Sequence, residues 1–133
     1  MAGETTGTIS NDPPFAMPDG MFLVPFSQAY ASTDNETDDV KQFGYLPANC
    51  TVYGVIYSPT DMDTNVSPAV VHKIIVGSTD LVTGLTGAQT GAKSFQGCVP
   101  LALTANALVK VQSTTAAGTG AAGTLYLAFV CQK

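Results

Sequence analysis

The sequence predicts an all-β protein, an antiparallel β-sandwich that follows an extended N-terminal arm. Three observations favour this class. Seven or eight short stretches rich in β-branched and aromatic residues are separated by turn clusters. Only 11% of the residues are charged, whereas Gly (13) and Pro (8) are frequent, which is typical of short strands and turns. No stretch repeats its apolar residues with a helical period. The 133 residues are enough for one domain with its own core.

Residues 1–19 are predicted to form the arm, and residues 20–133 the sandwich domain. The arm has little apolar mass and contains three prolines, which disfavour helix in the residues before them. Two interpretations stay open. The arm is either a frayed terminus or a segment that lies across a neighbouring subunit and is anchored there by apolar side chains. The residues assigned to partner binding are Pro13, Pro14, Phe15, Met17 and Pro18.

The first strand of the domain is predicted between Gly20 and Tyr30, where Pro25 indicates a sheet edge or a bulge. Val40 to Leu46 and Cys50 to Ser58 are predicted to pair with each other across a short turn. Gly54 in the second of these strands indicates a bulge or the close approach of another backbone. Further strands are predicted at Ala69 to Val76 and Phe95 to Leu103, and residues 81–97 are predicted to be mainly a weak strand and a long loop.

The C-terminal stretch contains two apolar runs, Ala107 to Ser113 and Thr124 to Gln132, joined by a loop of small residues. In the first run Val109 and Val111 alternate with polar residues such as Lys110, so one face can be buried while the other meets water. The second run is apolar on both faces, which is typical of a strand that is covered on both sides. We expect the two runs to pair as a long antiparallel hairpin.

The charge of the chain argues against several classes of function. The net charge is -5 and the sequence contains no Arg, so direct binding to nucleic acid is not expected. No apolar run is long enough for a transmembrane helix, and the N-terminus lacks the basic and apolar parts of a secretory signal. We therefore predict a soluble product made inside the cell, with no membrane partner.

The sequence also lacks the motifs that carry common chemistry. It has no Gly-rich loop followed by Lys, no Gly-x-Ser-x-Gly, and no Cys and His residues at metal-ligand spacing. No catalytic, cofactor-binding or metal-binding residue is assigned, and no cofactor is expected. The protein is predicted not to be an enzyme.

Three sets of residues could in principle carry chemistry, and a structural role is predicted for each. Cys50, Cys98 and Cys131 lie in or beside apolar runs and are expected to be buried thiols, although a disulfide between two of them stays open. His72, the single histidine, is expected to be a packed or half-exposed strand residue, so an enzyme based on Cys98 and His72 is the least favoured class. The acidic residues at 34–39 lack the Gly and the closing Glu of an EF-hand, which favours a solvated loop over a calcium site.

The end of the chain resembles one family of proteins. The strand Ala107-Leu108-Val109-Lys110-Val111-Gln112-Ser113 leads through a loop of Thr, Ala and Gly into the strand Leu125-Tyr126-Leu127-Ala128-Phe129-Val130. This ending, and a Gly-, Thr- and Ala-rich β domain behind a Pro-containing arm, are similar to the small head decoration, or cement, proteins of tailed bacteriophages. The resemblance covers the last quarter of the chain closely and the remainder only in style.

The resemblance implies a jelly-roll-like sandwich and a structural role in the virion. The implied partner is the major capsid protein. A protein of this family would bind the outer surface of the major capsid shell and stabilise the shell. A homo-oligomer, either a dimer or a trimer, is also expected, made in the host cytoplasm.

The alternative function is a carbohydrate-binding β-sandwich module of a phage tail or fibre. Tyr53, Tyr57 and Asp61 could supply an aromatic platform with a polar partner. The absence of Trp counts against this alternative, since Trp would be expected at a sugar-stacking site.

Overall fold

The computed structural model describes residues 20–133, which form eight strands and one short 3-10 helix. The strands are β1 (Met21–Tyr30), β2 (Val40–Leu46), β3 (Cys50–Pro59), β4 (Val71–Val76), β5 (Thr79–Leu85), β6 (Ser94–Leu103), β7 (Ala107–Thr115) and β8 (Gly123–Gln132). The 3-10 helix, Gly87–Gln89, lies between β5 and β6. Within this part of the chain, no helix has the length and apolar character needed to cross a membrane.

The strands form two antiparallel four-stranded sheets that pack face to face. Sheet 1 has the order β1-β8-β3-β6, and sheet 2 has the order β2-β7-β4-β5. The chain passes to the other sheet after every strand except β4, which is the arrangement of an eight-stranded jelly roll. The predicted all-β, jelly-roll-like sandwich is therefore confirmed.

The core lies between the sheets and is built from alternate residues of each strand. In β7 the residues Ala107, Val109 and Val111 are buried, whereas Lys110 on the opposite face is partly exposed, as the alternation predicted. The two sheet layers are filled mainly by aliphatic and aromatic groups. The largest fully buried side chains include Tyr57, Phe129, Leu46, Met62, Ile74, Leu125 and Leu127.

The predicted hairpin between the last two strands is wrong. β7 pairs with β2 and β4 in sheet 2, whereas β8 pairs with β1 and β3 in sheet 1. The two strands lie in opposite sheets because each is apolar enough for the centre of its own sheet, and the loop between them can cross from one sheet to the other. The predicted pairing of the strands that became β2 and β3 fails in the same way, since they also belong to different sheets.

The expectation that the last strand is covered on both faces is not met within the described residues. Leu125, Leu127 and Phe129 of β8 point into the core, but Tyr126 on the other face is 54% exposed. The apolar residues of that face therefore reach the surface of the sandwich.

Two predictions about special strand residues are confirmed. Pro25 lies in β1, which is an edge strand of sheet 1. In β3 the pairing register shifts between Val52 and Gly54, which marks a bulge. A Cβ atom on Gly54 would also lie 2.8 Å from the backbone oxygen of Gln96, so the glycine permits the close approach of another backbone as well.

Residues 81–97 are more regular than predicted. They include most of β5, the 3-10 helix and the first residues of β6. β4 and β5 form a tight hairpin through Gly77 and Ser78, in which Gly77 has φ 62°. The Gly-Ser pair that follows the β-branched strand is the sequence signal that could have located this hairpin.

The loop of small residues between β7 and β8 is held by one buried carboxylate. Asp63 is 1% exposed, and its two oxygens accept five backbone N–H hydrogen bonds of 2.7 to 3.2 Å. The donors are Asn65, Ala69, Val70, Gly118 and Thr119. Burial alone would raise the pKa of Asp63, but these amides outweigh it and hold the pKa well below its usual range. The carboxylate thus stays ionised and joins three loop segments.

We expect Asp63→Asn to lower the free energy of unfolding by about 3 kcal/mol, because the new amide group would point N–H donors at backbone N–H donors. The matched control is Asp61→Asn, in the same loop. Asp61 is exposed and accepts one hydrogen bond, from the amide of Asp63, which an Asn side chain can also accept. Urea unfolding followed by circular dichroism gives both values, and equal effects of the two substitutions would contradict the proposed role of Asp63.

Candidate functional site

The residues predicted for partner binding, Pro13, Pro14, Phe15, Met17 and Pro18, lie outside the described residues. Within residues 20–133, three features could carry function. They are a polar cluster around the single histidine, the acidic loop that follows β1, and the outer faces of the two sheets.

The polar cluster is formed by four buried residues, Tyr57, His72, Asn35 and Ser113. The imidazole of His72 in β4 lies between the hydroxyl of Tyr57, 2.7 Å from Nδ1, and the side-chain oxygen of Asn35, 2.7 Å from Nε2. The hydroxyl of Ser113 donates to the same Asn35 oxygen at 3.0 Å. Since that oxygen only accepts, Nε2 carries the proton and Nδ1 accepts from Tyr57. The cluster therefore links β3 of sheet 1 to β4 and β7 of sheet 2.

The geometry of this cluster supports a structural role and not acid-base chemistry. Burial lowers the pKa of His72 to about 4, so the imidazole is neutral near pH 7. Burial also raises the pKa of Tyr57 well above its usual range, which keeps its hydroxyl protonated. Both ring nitrogens of His72 are engaged, and none of the four residues reaches the surface. His72 is thus a strand residue, as the sequence predicted, and of the two expected positions, packed or half-exposed, it occupies the packed one.

The thiols do not form a catalytic pair with this histidine. Cys50 and Cys131 are buried, Cys98 is half-buried, and all three are free thiols. The Cys98 sulfur lies 3.7 Å from the backbone oxygen of Val52, and burial raises the pKa of its thiol. Because both nitrogens of His72 are already hydrogen-bonded, the histidine cannot serve as a base for Cys98.

The acidic loop uses its side chains within the fold. The carboxylate of Asp34 lies 2.6 Å from Nζ of Lys41, and the hydrogen bond from this ammonium lowers the pKa of Asp34. Asp38 accepts a hydrogen bond from Gln112 at 3.2 Å. Within the part of the chain that the structure describes, no group of three His, Cys, Asp or Glu residues is placed to hold a metal ion. Asn35, in the middle of this loop, is buried, and the polar sequence around it gave no signal of that burial.

The residues named for carbohydrate binding are not brought together. Tyr57 is fully buried in the polar cluster, so it offers no stacking surface. Tyr53 is 39% exposed, but it lies near the other end of β3 from the exposed Asp61. Three cavities of 180, 240 and 320 Å³ lie on the side of the sandwich where β5 and β6 meet, and none of the three named residues lines them.

The outer faces of the two sheets differ in charge. Sheet 2 carries an ion pair between Lys73 and Asp80 at 3.2 Å, together with Lys110. The four strands of sheet 1 contain no charged residue. We call the outward side of sheet 1 the neutral face. Its outward residues include Leu23, Pro25, Ile56, Phe95, Tyr126, Ala128 and Val130.

Comparison with known proteins gives the fold a context. No family model and no curated protein sequence matches this chain. Among solved structures, it is similar to a chain of the Cyanophage Pam1 capsid asymmetric unit, with a TM-score of 0.70 and 22% identity over 96% of this chain and 99% of that chain. It is also similar to a chain of the capsid of Ralstonia phage GP4, with a TM-score of 0.70 and 20% identity over 89% of each chain. These likenesses establish a shared fold over nearly the full length.

The polar cluster predicts opposite effects for two buried tyrosines. Tyr57→Phe should lower the free energy of unfolding by about 1 to 3 kcal/mol, because it leaves Nδ1 of His72 buried without a donor. The hydroxyl of Tyr30 is buried beside His72 and has no hydrogen-bond partner in the described structure. Tyr30→Phe should therefore be neutral or stabilising by up to about 1 kcal/mol. Urea unfolding of both variants tests this, and a large loss for Tyr30→Phe would refute it.

The same cluster predicts a pH dependence of stability. His72 has a pKa of about 4 when folded and 6.5 as an ordinary side chain, so the unfolded chain binds the proton more tightly. The contribution of the neutral His72 to the free energy of unfolding is fully present above about pH 7. As the pH falls from 7 to 5, the free energy of unfolding should decrease by about 2 kcal/mol. Since the chain has one His, His72→Gln should flatten this profile. A wild-type profile as flat as that of the variant, in urea unfolding at each pH, would contradict the assignment.

Proposed function

We propose that this chain is a head decoration protein of a tailed bacteriophage, which binds the outer surface of the major capsid shell and stabilises it. The observation that carries the proposal is the fold shared, over 96% of this chain and 99% of the other, with a chain of a phage capsid. The match involves the whole of a small sandwich and not one domain of a larger capsid subunit. The resemblance of the C-terminal strands and loop to cement proteins points in the same direction.

The described surface supports an accessory role over a shell-forming one. A subunit that closes a shell must contact neighbours on several sides. Here sheet 2 carries the ion pair of Lys73 and Asp80, while five of the eight large apolar residues exposed in the described structure belong to strands of sheet 1. Such an asymmetric molecule suits attachment through limited surfaces. Many copies on a symmetric lattice would then stabilise the shell through repeated weak contacts.

The arm is proposed to provide the contact with the shell. Residues 1–19 hold few apolar groups, so this segment cannot bury enough of its own surface to offset an ordering cost of about 1 to 2 kcal/mol per residue. A partner surface could supply that burial for Phe15 and Met17, with Pro13, Pro14 and Pro18 keeping the segment extended.

The test uses purified full-length protein and undecorated shells of the parent phage. Cosedimentation should show saturable binding, and cryo-electron microscopy should place the added density on the exterior. The melting temperature of the shell should rise with occupancy, because the ligand binds the assembled state. No binding at saturating protein concentrations would refute the proposed function.

We expect Phe15→Ala, combined with Met17→Ala, to weaken shell binding by about tenfold or more, since two buried apolar anchors are lost. Ile9→Ala is the matched control in the same arm and should have a smaller effect. Deletion of residues 1–19 should weaken binding further and leave the melting temperature of the free protein unchanged. A large fall in that melting temperature would instead assign the arm to the core of the domain.

A further inference from the structure

Charged residues are distributed unevenly between the two sheets of the described molecule, and the strands of sheet 1 contain none. These four strands have ten residues each and include no Asp, Glu, Lys, Arg or His. The whole chain nevertheless has a net charge of -5. Each strand of sheet 2, by contrast, contains at least one charged residue or histidine. Within residues 20–133, the charged side chains therefore lie in sheet 2 and outside the strands of sheet 1, and three further acidic residues, Glu4, Asp12 and Asp19, belong to the N-terminal segment of the sequence.

The outward residues of the neutral face lie in register across the sheet. One row runs from Leu23 through Val130 and Gly54 to Gly97, and the next from Pro25 through Ala128 and Ile56 to Phe95. Tyr126 continues the surface between two serines, Ser27 and Ser58. The rows are thus formed by small, aliphatic and aromatic groups.

The face is also exposed. Leu23 is 49% exposed, Tyr126 is 54% and Phe95 is 61%, and Val99, at the bulge between β3 and β6, is 87%. Five of the eight large apolar residues exposed in the described structure belong to strands of sheet 1. A contiguous apolar patch of this kind marks an interaction site on a soluble protein.

The area of the neutral face is close to the area that one partner buries in a specific protein–protein interface. Four strands about 4.8 Å apart, each rising about 3.3 Å per residue over ten residues, cover about 600 Å² in projection. Specific interfaces bury about 600 to 1,000 Å² on each partner. A flat sheet face can pack directly on a second such face, at the separation of about 10 Å found between stacked sheets.

We infer that the neutral face is the surface through which two copies of this chain pack together. Two identical chains of net charge -5 repel each other, so contact through a surface with no charges avoids both like-charge opposition and the desolvation of ions. A two-fold interface also requires a surface that matches itself, and an uncharged apolar sheet face meets that requirement. This inference concerns the free protein and does not depend on the proposed attachment to a shell.

The test compares two exposed tyrosines on opposite faces. Tyr126 lies on the neutral face, and Tyr45, 64% exposed, lies on the outer side of β2 in sheet 2. Tyr126→Glu and Tyr45→Glu add the same charge to the chain. Sedimentation equilibrium of the full-length protein should show a wild-type dimer, a dissociation constant raised by about 100-fold or more in Tyr126→Glu, and no change in Tyr45→Glu.

A second variant separates burial from net charge. Leu23→Lys makes the chain less negative, so it would strengthen association if repulsion between copies alone controlled it. If the neutral face is buried in the dimer, Leu23→Lys should weaken association as Tyr126→Glu does, since each buries an unpaired charge. Raising the salt concentration should leave the wild-type dimer intact or tighten it, because no ion pair is lost and repulsion is screened. Melting curves verify that each variant is folded.

Three results would overturn the inference. The first is a wild-type protein that stays monomeric at concentrations of hundreds of micromolar. The second is a dimer that Tyr126→Glu and Leu23→Lys leave intact while Tyr45→Glu disrupts it. The third is a wild-type protein that is monomeric and that loses its binding to undecorated shells in Tyr126→Glu. That result would mean that the neutral face binds the shell and not a second copy of the chain.

Discussion

The carboxylate of Asp63 is the contact on which the connection between the two sheets depends. It is buried, and it accepts hydrogen bonds from its own loop, from the segment before β4 and from the loop between β7 and β8. That last loop must carry the chain from the centre of sheet 2 to the centre of sheet 1. The backbone amides of Gly118 and Thr119 in this loop donate to the ionised carboxylate, which satisfies both of them at once. The small residues of the loop have a matching reason, since a Cβ on Gly120 would collide with the backbone oxygen of Ser32.

The polar cluster around His72 makes a second connection, through the core. Tyr57 comes from sheet 1 and His72 from sheet 2, so their hydrogen bond fixes the position of one sheet relative to the other. Apolar contacts alone are not directional, whereas a buried hydrogen-bonded chain tolerates only one arrangement of its members. The neutral imidazole suits this role because it donates at one nitrogen and accepts at the other. The single histidine is thus better explained by packing than by catalysis.

The packing of the core does not explain how charged side chains are distributed over the surface. Within residues 20–133, charged side chains are concentrated in sheet 2 and the loops, and the strands of sheet 1 contain none, although each sheet contributes four strands to the sandwich. Stability of the monomer does not require an uncharged outer face, since Lys73 and Asp80 are accommodated on the other sheet. On the proposed function, two copies joined through the neutral face would carry two arms. Paired arms would bind a symmetric shell with avidity that a single arm lacks.

The sequence by itself determined the class of fold, because alternation along a strand is a local property: Val109 and Val111 on one side and Lys110 on the other identify β7 without reference to any partner. Pro25 and Gly54 were interpretable for the same reason, since each limits its own backbone. Which strands pair was decided only by the tertiary structure. β7 and β8 are both suited to a central position, and nothing local tells whether they share a sheet. The buried roles of Asp63 and Asn35 were equally hidden, because each lies in a polar loop and becomes buried only when distant segments close over it.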